Sequence, residues 1–421
     1  MTVRGNLLAA AVIAVLAGSP GYGGALAANG SDSTAARSDH FPIATDVRVG
    51  GDGKQTRFVM DFSDRVELAT FTLADPYRVV VDLPQVVFKL PPKSGEHGRG
   101  LIKEFRYGLI MRGGSRIVLD TDGPVRIGKA FMLAASEGQP ARLVIDLVPT
   151  DRQSFLHDMA LATRPPRIDA KESVSIAKDS SGDQRPLIVI DPGHGGIDSG
   201  TKSSGGQDEK DVVLGFSLLL RDKLLKTGKY RIAMTRSDDT FVPLNDRVRF
   251  ARSRKASLFI SIHADSIPRS EGQAEGATVY TLSEHASDAE AARLADAENK
   301  SDAIAGVDLT SQPDDVATIL IDLAQRETKT FSAQFAHMLV SEFKNTTRLH
   351  QHPLKSAGFI VLKAPDVPSV LVELGYMSTK DDLQHLMSPA WRARTADSLV
   401  SAVDSFFAPR LAGGAVLRGS N

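Results

Sequence analysis

Apolar residues recur along this chain in two different rhythms. Over residues 41–149 a five-residue unit of arginine, three apolar residues and aspartate returns four times, as RFVMD from Arg57, RVVVD from Arg78, RIVLD from Arg116 and RLVID from Arg142. Short apolar runs bounded by the turns GGDGK, ADP, RGG and EGQP predict strands. Their unequal spacing argues against a solenoid and for a small all-β sandwich. The arginines and aspartates at the strand ends read as cross-strand charge pairs rather than ligand contacts.

Residues 150–184 carry little apolar periodicity and include the polar run KDSSGDQRP, so they read as a linker. From Arg185 the rhythm changes to apolar strands alternating with amphipathic helices. Strands are expected over 187–191, 230–235 and 258–263, with helices over 208–225 and 244–254. Two or three helices follow between 283 and 344, then strands near 358–362 and over 369–373, and a final helix over 389–407. This pattern predicts an α/β region over 185–409, a mostly parallel sheet with helices on both faces, ending in a tail at 410–421.

Composition narrows the function classes. A chain of 421 residues is long for one core. A formal net charge of −1 supplies no general field for nucleic acid, so no nucleic-acid partner is expected. The absence of cysteine excludes thiolate metal ligands and cysteine nucleophiles. At the amino terminus Arg4 precedes an apolar stretch over 7–17, followed by the small pair Ala25 and Ala27, which reads as a cleaved signal peptide over 1–27. Lacking an arginine pair, it fits the general secretory route rather than the twin-arginine one. No stretch is long enough to span a bilayer after cleavage near Ala28, so an exported protein without a membrane span is expected.

The candidate chemistry starts at LIVIDPGHGGIDSG. A phosphate loop would run from its glycines straight into a helix, whereas here the polar stretch TKSSGGQ intervenes. His194 follows one apolar strand, and His263 and Glu373 close two others, at the carboxyl ends where open α/β sheets hold ligands. Glu209 lies in the first turn of a helix whose stripe of Val213, Phe216, Leu220 and Leu224 faces the sheet, so its carboxylate points the same way. Two imidazoles and a carboxylate, His194, His263 and Glu209, form a set that holds zinc and leaves a position open for water. Glu373, an acid ending an apolar strand, is costly without a task and suits a general base; pairing with Arg247 is the alternative. His352, ahead of Pro353, is a further candidate for the cleft, and the remaining histidines read as surface or packing residues.

The ordered motifs DPGHGG, EKDVVL, FISIHAD and VPSVLVELGYMS resemble the zinc-dependent N-acetylmuramoyl-L-alanine amidases of bacterial cell division. The β region, with VVVDLP from Val79, resembles the small amidase-associated (AMIN-like) domain that precedes them. The resemblance implies that His194, Glu209 and His263 bind zinc and that Glu373 is the catalytic acid. The implied substrate is the lactyl–L-alanine amide of peptidoglycan, cut in the periplasm at the division site, to which the β domain targets the enzyme. It also implies a protein activator bearing a degenerate peptidase-like domain.

The segment SEHASDAEAARLADAENK, 283–300, then corresponds to a helix that covers the cleft and offers an acid to the metal. Glu298 is the expected acid, with Glu290 and Asp296 as alternates; a solvated surface helix is the plainer reading. The basic run RVRFARSRK, 247–255, fits a helix carboxyl end, or attracts stem-peptide carboxylates. Two rival functions remain at this stage: a non-enzymatic wall-binding division scaffold, and a zinc peptidase or deacetylase acting on another wall bond.

Overall fold

Period-two alternation inside the repeated unit builds the first half of the fold. The computed structural model describes residues 41–111, 113–136, 138–161, 183–266, 275–307 and 320–416; the expected signal peptide at 1–27 lies outside them. The first strands are β1 (Ile43–Gly51), β2 (Thr56–Phe62), β3 (Ala69–Leu73), β4 (Arg78–Pro84) and β5 (Val87–Phe88). They continue with β6 (Ile102–Met111), β7 (Gly114–Thr121), β8 (Val125–Leu133) and β9 (Ala141–Pro149). Two sheets result, ordered β5-β1-β2-β9-β8 and β3-β4-β7-β6, which is the expected sandwich.

In each Arg-x-x-x-Asp strand the second and fourth residues enter the core between the sheets: Phe58 and Met60, Val79 and Val81, Ile117 and Leu119, Leu143 and Ile145. The outward first and fifth residues are register partners across β2–β9 and β4–β7. Cross-strand ion pairs form accordingly, Arg57–Asp146 and Arg116–Asp82 at 2.6 Å and Arg142–Asp61 at 3.6 Å. Asp120 is bridged by Arg106 at 2.6 Å, and Arg78 donates from Nε to Pro76 O at 3.1 Å and from Nη1 to Ala303 O, beyond the sandwich.

The start of the expected linker is helical. α1 (Arg152–Leu161) is opened by Asp151, which accepts the Ser154 amide at 2.9 Å, and is pinned by Phe155, buried edge-on against Tyr77.

The second half comprises β10 (Leu187–Pro192), α2 (Glu209–Lys226), β11 (Arg231–Met234), α3 (Leu244–Ser253) and β12 (Leu258–His263). β13 (Ala277–Leu282), α4 (Ala289–Glu298), α5 (Ser301–Ile304), α6 (Leu320–Phe343) and β14 (Leu349–Ala357) come next. The chain ends in β15 (Ser369–Glu373), α7 (Lys380–Met387) and α8 (Pro389–Val416). The sheet order is β11-β10-β12-β15-β13-β14, parallel throughout except where β13 meets β15. β10, β12 and β15 are buried along their whole length, as strands covered on both faces must be. Ile188 and Ile190 face α2, α6 and α8, while Val189, Phe259 and Leu371 face α3 and α4.

Two expectations need correction. The run near 358–362 is a 3-10 turn, Ile360–Leu362, and the strand is β14 immediately before it. β14 lies at the sheet edge with a partly exposed, polar sequence, so it lacks the apolar run that marks a central strand. β13 and α7 also form where no element was expected. The chain from Phe41 onward makes one compact unit, with the β sandwich seated against the α/β half.

Candidate active site

β10, β12 and β15 lie side by side, so the residues at their carboxyl ends gather at one rim of the sheet. His263 and Glu373 are direct register partners on β12 and β15. His194, just past β10, adopts a left-handed φ of 57°. Glycine is required around it by close approach: a Cβ on Gly193 would sit 2.4 Å from His263 Cε1, and one on Gly200 2.6 Å from His194 Cδ2. Glu209 opens α2 fully buried, above the buried stripe of Val213, Phe216, Leu220 and Leu224.

The two imidazole rings stand 5.0 Å apart at 74°. Glu209 Oε1 lies 3.1 Å from His194 Nε2 and 3.5 Å from His263 Nδ1. Glu298, the last residue of α4, enters with one oxygen 3.2 Å from His263 Nδ1 and the other 3.7 Å from His194 Nε2. Each group is braced from behind. Glu209 accepts the amides of Ala264 at 2.9 Å and Thr201 at 3.0 Å. His194 Nδ1 lies 3.0 Å from Asp198, which also accepts the Ser301 hydroxyl. Glu373 Oε2 accepts the Asp265 amide at 3.0 Å.

Three buried atoms in this cluster hydrogen-bond to no protein group: His194 Nε2, His263 Nδ1 and Glu373 Oε1. Unpaired buried polar atoms are expensive, and here they converge. His194, His263 and Glu298 offer donor atoms within 4.8 Å of one another, with Glu209 Oε1 beside them. This nitrogen and oxygen donor set could hold a divalent cation.

The electrostatics point the same way. Burial acts to lower the His194 pKa, yet Glu209, Asp198 and Glu298 together hold it well above the usual imidazole value. Burial would raise Asp198, but His194 pulls it down to about 2. Glu373 is held well above the ordinary carboxyl range by burial, then by Glu209, Asp265 and Glu298. Asp265 rises to about 7 through burial, Glu209 and Glu298. Five acids thus surround two imidazoles, an excess of negative charge that a bound cation relieves.

The fold brings His194, Glu209, His263, Glu373 and Glu298 into one cluster. Of the alternates to Glu298, Glu290 instead meets Lys355 Nζ at 2.8 Å and the Tyr376 hydroxyl at 3.3 Å, and Asp296 is exposed. His352 is exposed, not lining the cleft; its neighbour His350 approaches Glu290 at 3.6 Å. Arg247 is not the partner of Glu373: it pairs with Asp191 at 2.9 Å and donates to the carbonyls of Pro192 and His194 at 2.8 Å. Sequence reasoning passed over Asp198, although a carboxylate four residues beyond a candidate ligand histidine is the signal for the group that orients its second ring nitrogen.

Comparison with known proteins identifies the family. The family model for N-acetylmuramoyl-L-alanine amidase matches residues 188–405, and that for the AMIN domain matches 46–147. N-acetylmuramoyl-L-alanine amidase AmiC of Escherichia coli O6:H1 is 33% identical over 374 residues, covering 86% of this chain and 89% of that protein. AmiC of Neisseria meningitidis serogroup B is 32% identical over 389 residues, covering 89% and 92%. The AmiA amidase of Escherichia coli K12 is 38% identical over 232 residues, covering 55% and 78%. The chain therefore belongs to the N-acetylmuramoyl-L-alanine amidase family, with an AMIN domain ahead of its catalytic region.

Proposed function

We propose that this amidase is zinc-dependent, works in the periplasm on the lactyl–L-alanine amide of peptidoglycan during cell separation, and is autoinhibited by α4. The observation that carries the reading is the convergence of His194 Nε2 and His263 Nδ1, buried and unpaired, beside Glu209 and Glu373. His194, Glu209 and His263 would hold the ion. When bound, it supplies Lewis-acid polarisation of the scissile carbonyl and makes water more acidic.

The chain's own residues do the rest. Asp198 accepts a hydrogen bond from His194 Nδ1–H, fixing the tautomer that leaves Nε2 free for the site. The Asp265 amide anchors one oxygen of Glu373 and leaves Oε1 free. Beside a bound ion Glu373 would be ionised despite the burial that raises its pKa, and its Oε1 would accept a proton from the attacking water and return it to the leaving amide nitrogen.

Glu298 occupies the space in front of both imidazoles, where substrate would have to enter. Activation therefore requires α4 to leave, the task assigned to a partner protein with a degenerate peptidase-like domain. Export by the segment over 1–27 and wall targeting by the AMIN domain complete the reading. Among the described residues no helix is long and apolar enough to cross a membrane.

The test digests purified sacculi with the mature chain, with and without chelator, beside Glu373→Gln and Glu298→Ala. Chelation and Glu373→Gln are expected to abolish release of free stem peptides from intact glycan strands, and Glu298→Ala to raise the basal rate. Digestion unaffected by chelator and by Glu373→Gln would overturn the mechanism, no digestion even by Glu298→Ala would leave the scaffold reading, and any other wall product the peptidase or deacetylase reading.

A further inference from the structure

The AMIN sandwich carries two outward faces of the same design, and the fold treats them differently. On β2 and β9 the outward arginines are open to solvent, the Arg57 side chain 55% and the Arg142 side chain 31% exposed. On β4 and β7 their counterparts are covered, with Arg78 2% exposed and the Arg116 side chain 13%. What covers them is the stretch that follows α4.

Three arginines of this face reach four consecutive main-chain carbonyls. Arg78 Nη1 donates to Ala303 O, and Arg106 Nε to Ile304 O at 3.3 Å. Arg116 Nη1 donates to Ala305 O at 3.1 Å and Gly306 O at 2.9 Å. The side-chain carboxylates of Asp82 and Asp120 hold the Arg116 and Arg106 guanidinium groups in place, each at 2.6 Å. Between the arginines, Val80 and Val118 lie under Gly306, where a Cβ would come within 3.1 Å of both, and Val118 packs with Ala305, Ile197 and Phe241. The carboxyl end of a helical turn carries partial negative charge, so guanidinium groups suit it.

The same short stretch holds the centre of the active site. Glu298 stands on the two imidazoles, Ser301 donates to the Asp198 that orients His194, and the Asp302 carboxylate accepts the Leu244 amide at 2.8 Å. At the other end of α4, Glu290 is tied to Lys355 and Tyr376. The inhibitory segment is thus fixed at both ends: Asn299, Ser301 and Asp302 tie it to the catalytic half just past Glu298, and the next four residues are fastened to the other domain.

We propose that the β3-β4-β7-β6 face of the AMIN domain has a function beyond wall targeting: it is the latch that keeps α4 and α5 seated over the active site. The proposal rests on the reading of Glu298 as the inhibitory acid. Separation of this face from residues 303–306 would free the segment that carries Glu298, so a partner or wall contact that shifts the AMIN domain would raise hydrolysis without touching the cleft.

The test uses the full mature chain and two readouts, basal release from sacculi and hydrogen exchange of the 295–306 amides. Arg78→Ala/Arg116→Ala is compared with Val118→Arg, whose side chain faces away from the sandwich core and so spares its packing. Both are expected to speed exchange over 295–306 and to raise basal hydrolysis about tenfold, toward the level of Glu298→Ala, the equivalent of about 1.4 kcal/mol. Arg57→Ala/Arg142→Ala, an equal charge loss on the open face, is expected to leave that exchange unchanged. Exchange and hydrolysis both flat in the latch variants, with Glu298→Ala raised, overturn the latch alone. A flat Glu298→Ala overturns the inhibitory reading itself, and the latch as a regulator with it.

Discussion

Arg247 offers the sharpest test of how the active-site loop is held. It is 1% exposed and donates to Asp191 at 2.9 Å and to the carbonyls of Val242, Pro192 and His194 at 2.8 Å each. Asp191, fully buried, keeps two other donors, the hydroxyls of Thr235 and Ser261. Arg247→Met preserves much of the volume but removes the charge partner of buried Asp191 and a donor from the carbonyls of Val242 and His194, while Pro192 O keeps Arg236 Nε at 3.0 Å. Breaking a buried ion pair costs about 3–5 kcal/mol, and each orphaned acceptor about 1–3 kcal/mol more before the site relaxes. A loss of about 4 kcal/mol is expected, large beside the roughly 5–15 kcal/mol that holds a typical domain. Asp191→Leu/Arg247→Met, which removes both charges, should cost clearly less than the sum of its singles.

Urea unfolding of the metal-free chain measures this, followed by fluorescence of Trp391, the sole tryptophan, buried in the α/β core and so reporting on that half of the fold. Calorimetric zinc titration supplies the second readout, since the Arg247 bond to His194 O holds the ligand loop. A loss below about 1 kcal/mol would refute the buried-pair reasoning. Zinc affinity unchanged in a destabilised variant would refute the claim that Arg247 positions His194.

Other expectations follow from the same cluster. Asp198→Asn should weaken zinc binding about 10- to 100-fold, since it disturbs the orientation of His194, and unaltered affinity by calorimetry would exclude that role. Gly200→Ala should abolish zinc binding while leaving the AMIN strands folded by circular dichroism, because φ is +62° and the new Cβ would meet His194 at 2.6 Å and Glu209 at 2.7 Å. Asp265 has an ordinary pKa of 3.8 and a folded value of about 7, raised by burial, Glu209 and Glu298. Between those values the folded metal-free chain keeps a proton that the unfolded chain has lost, so this residue's contribution to stability falls as pH rises from about 4 to 7. The slope approaches about 1.4 kcal/mol per pH unit. Thermal midpoints in chelator should therefore fall more steeply over that window in the native chain than in Asp265→Asn, and parallel curves would contradict the assignment.

The clustering of the candidate residues was legible because they sit where sequence patterns are strongest. LIVID, LFISIH and SVLVE are continuous apolar runs, the mark of strands covered on both faces, and the residues ending them must share a rim. Glu209 was readable through the helical stripe beneath it. β14 was misplaced because LHQHPLKSA is half polar, whereas the neighbouring Ile360–Leu362 turn is apolar by packing and not by period. Arg78 and Arg116 share one motif with Arg57 and Arg142, and nothing local distinguishes the covered pair from the open one. That difference arises from contacts with residues 189 to 225 positions away, which leave no periodic trace.

The pairing of His263 with Glu373 across adjacent strands ties reactivity to correct assembly. Sliding β15 by one position against β12 would swing the acid to the opposite side of the sheet, and sliding by two would carry it roughly 7 Å along. The oily side chains that specify strand alignment therefore also set the spacing of Glu373 from His263. A mispaired copy of this hydrolase is silent rather than indiscriminate, a safe failure for a protein able to open the envelope it inhabits.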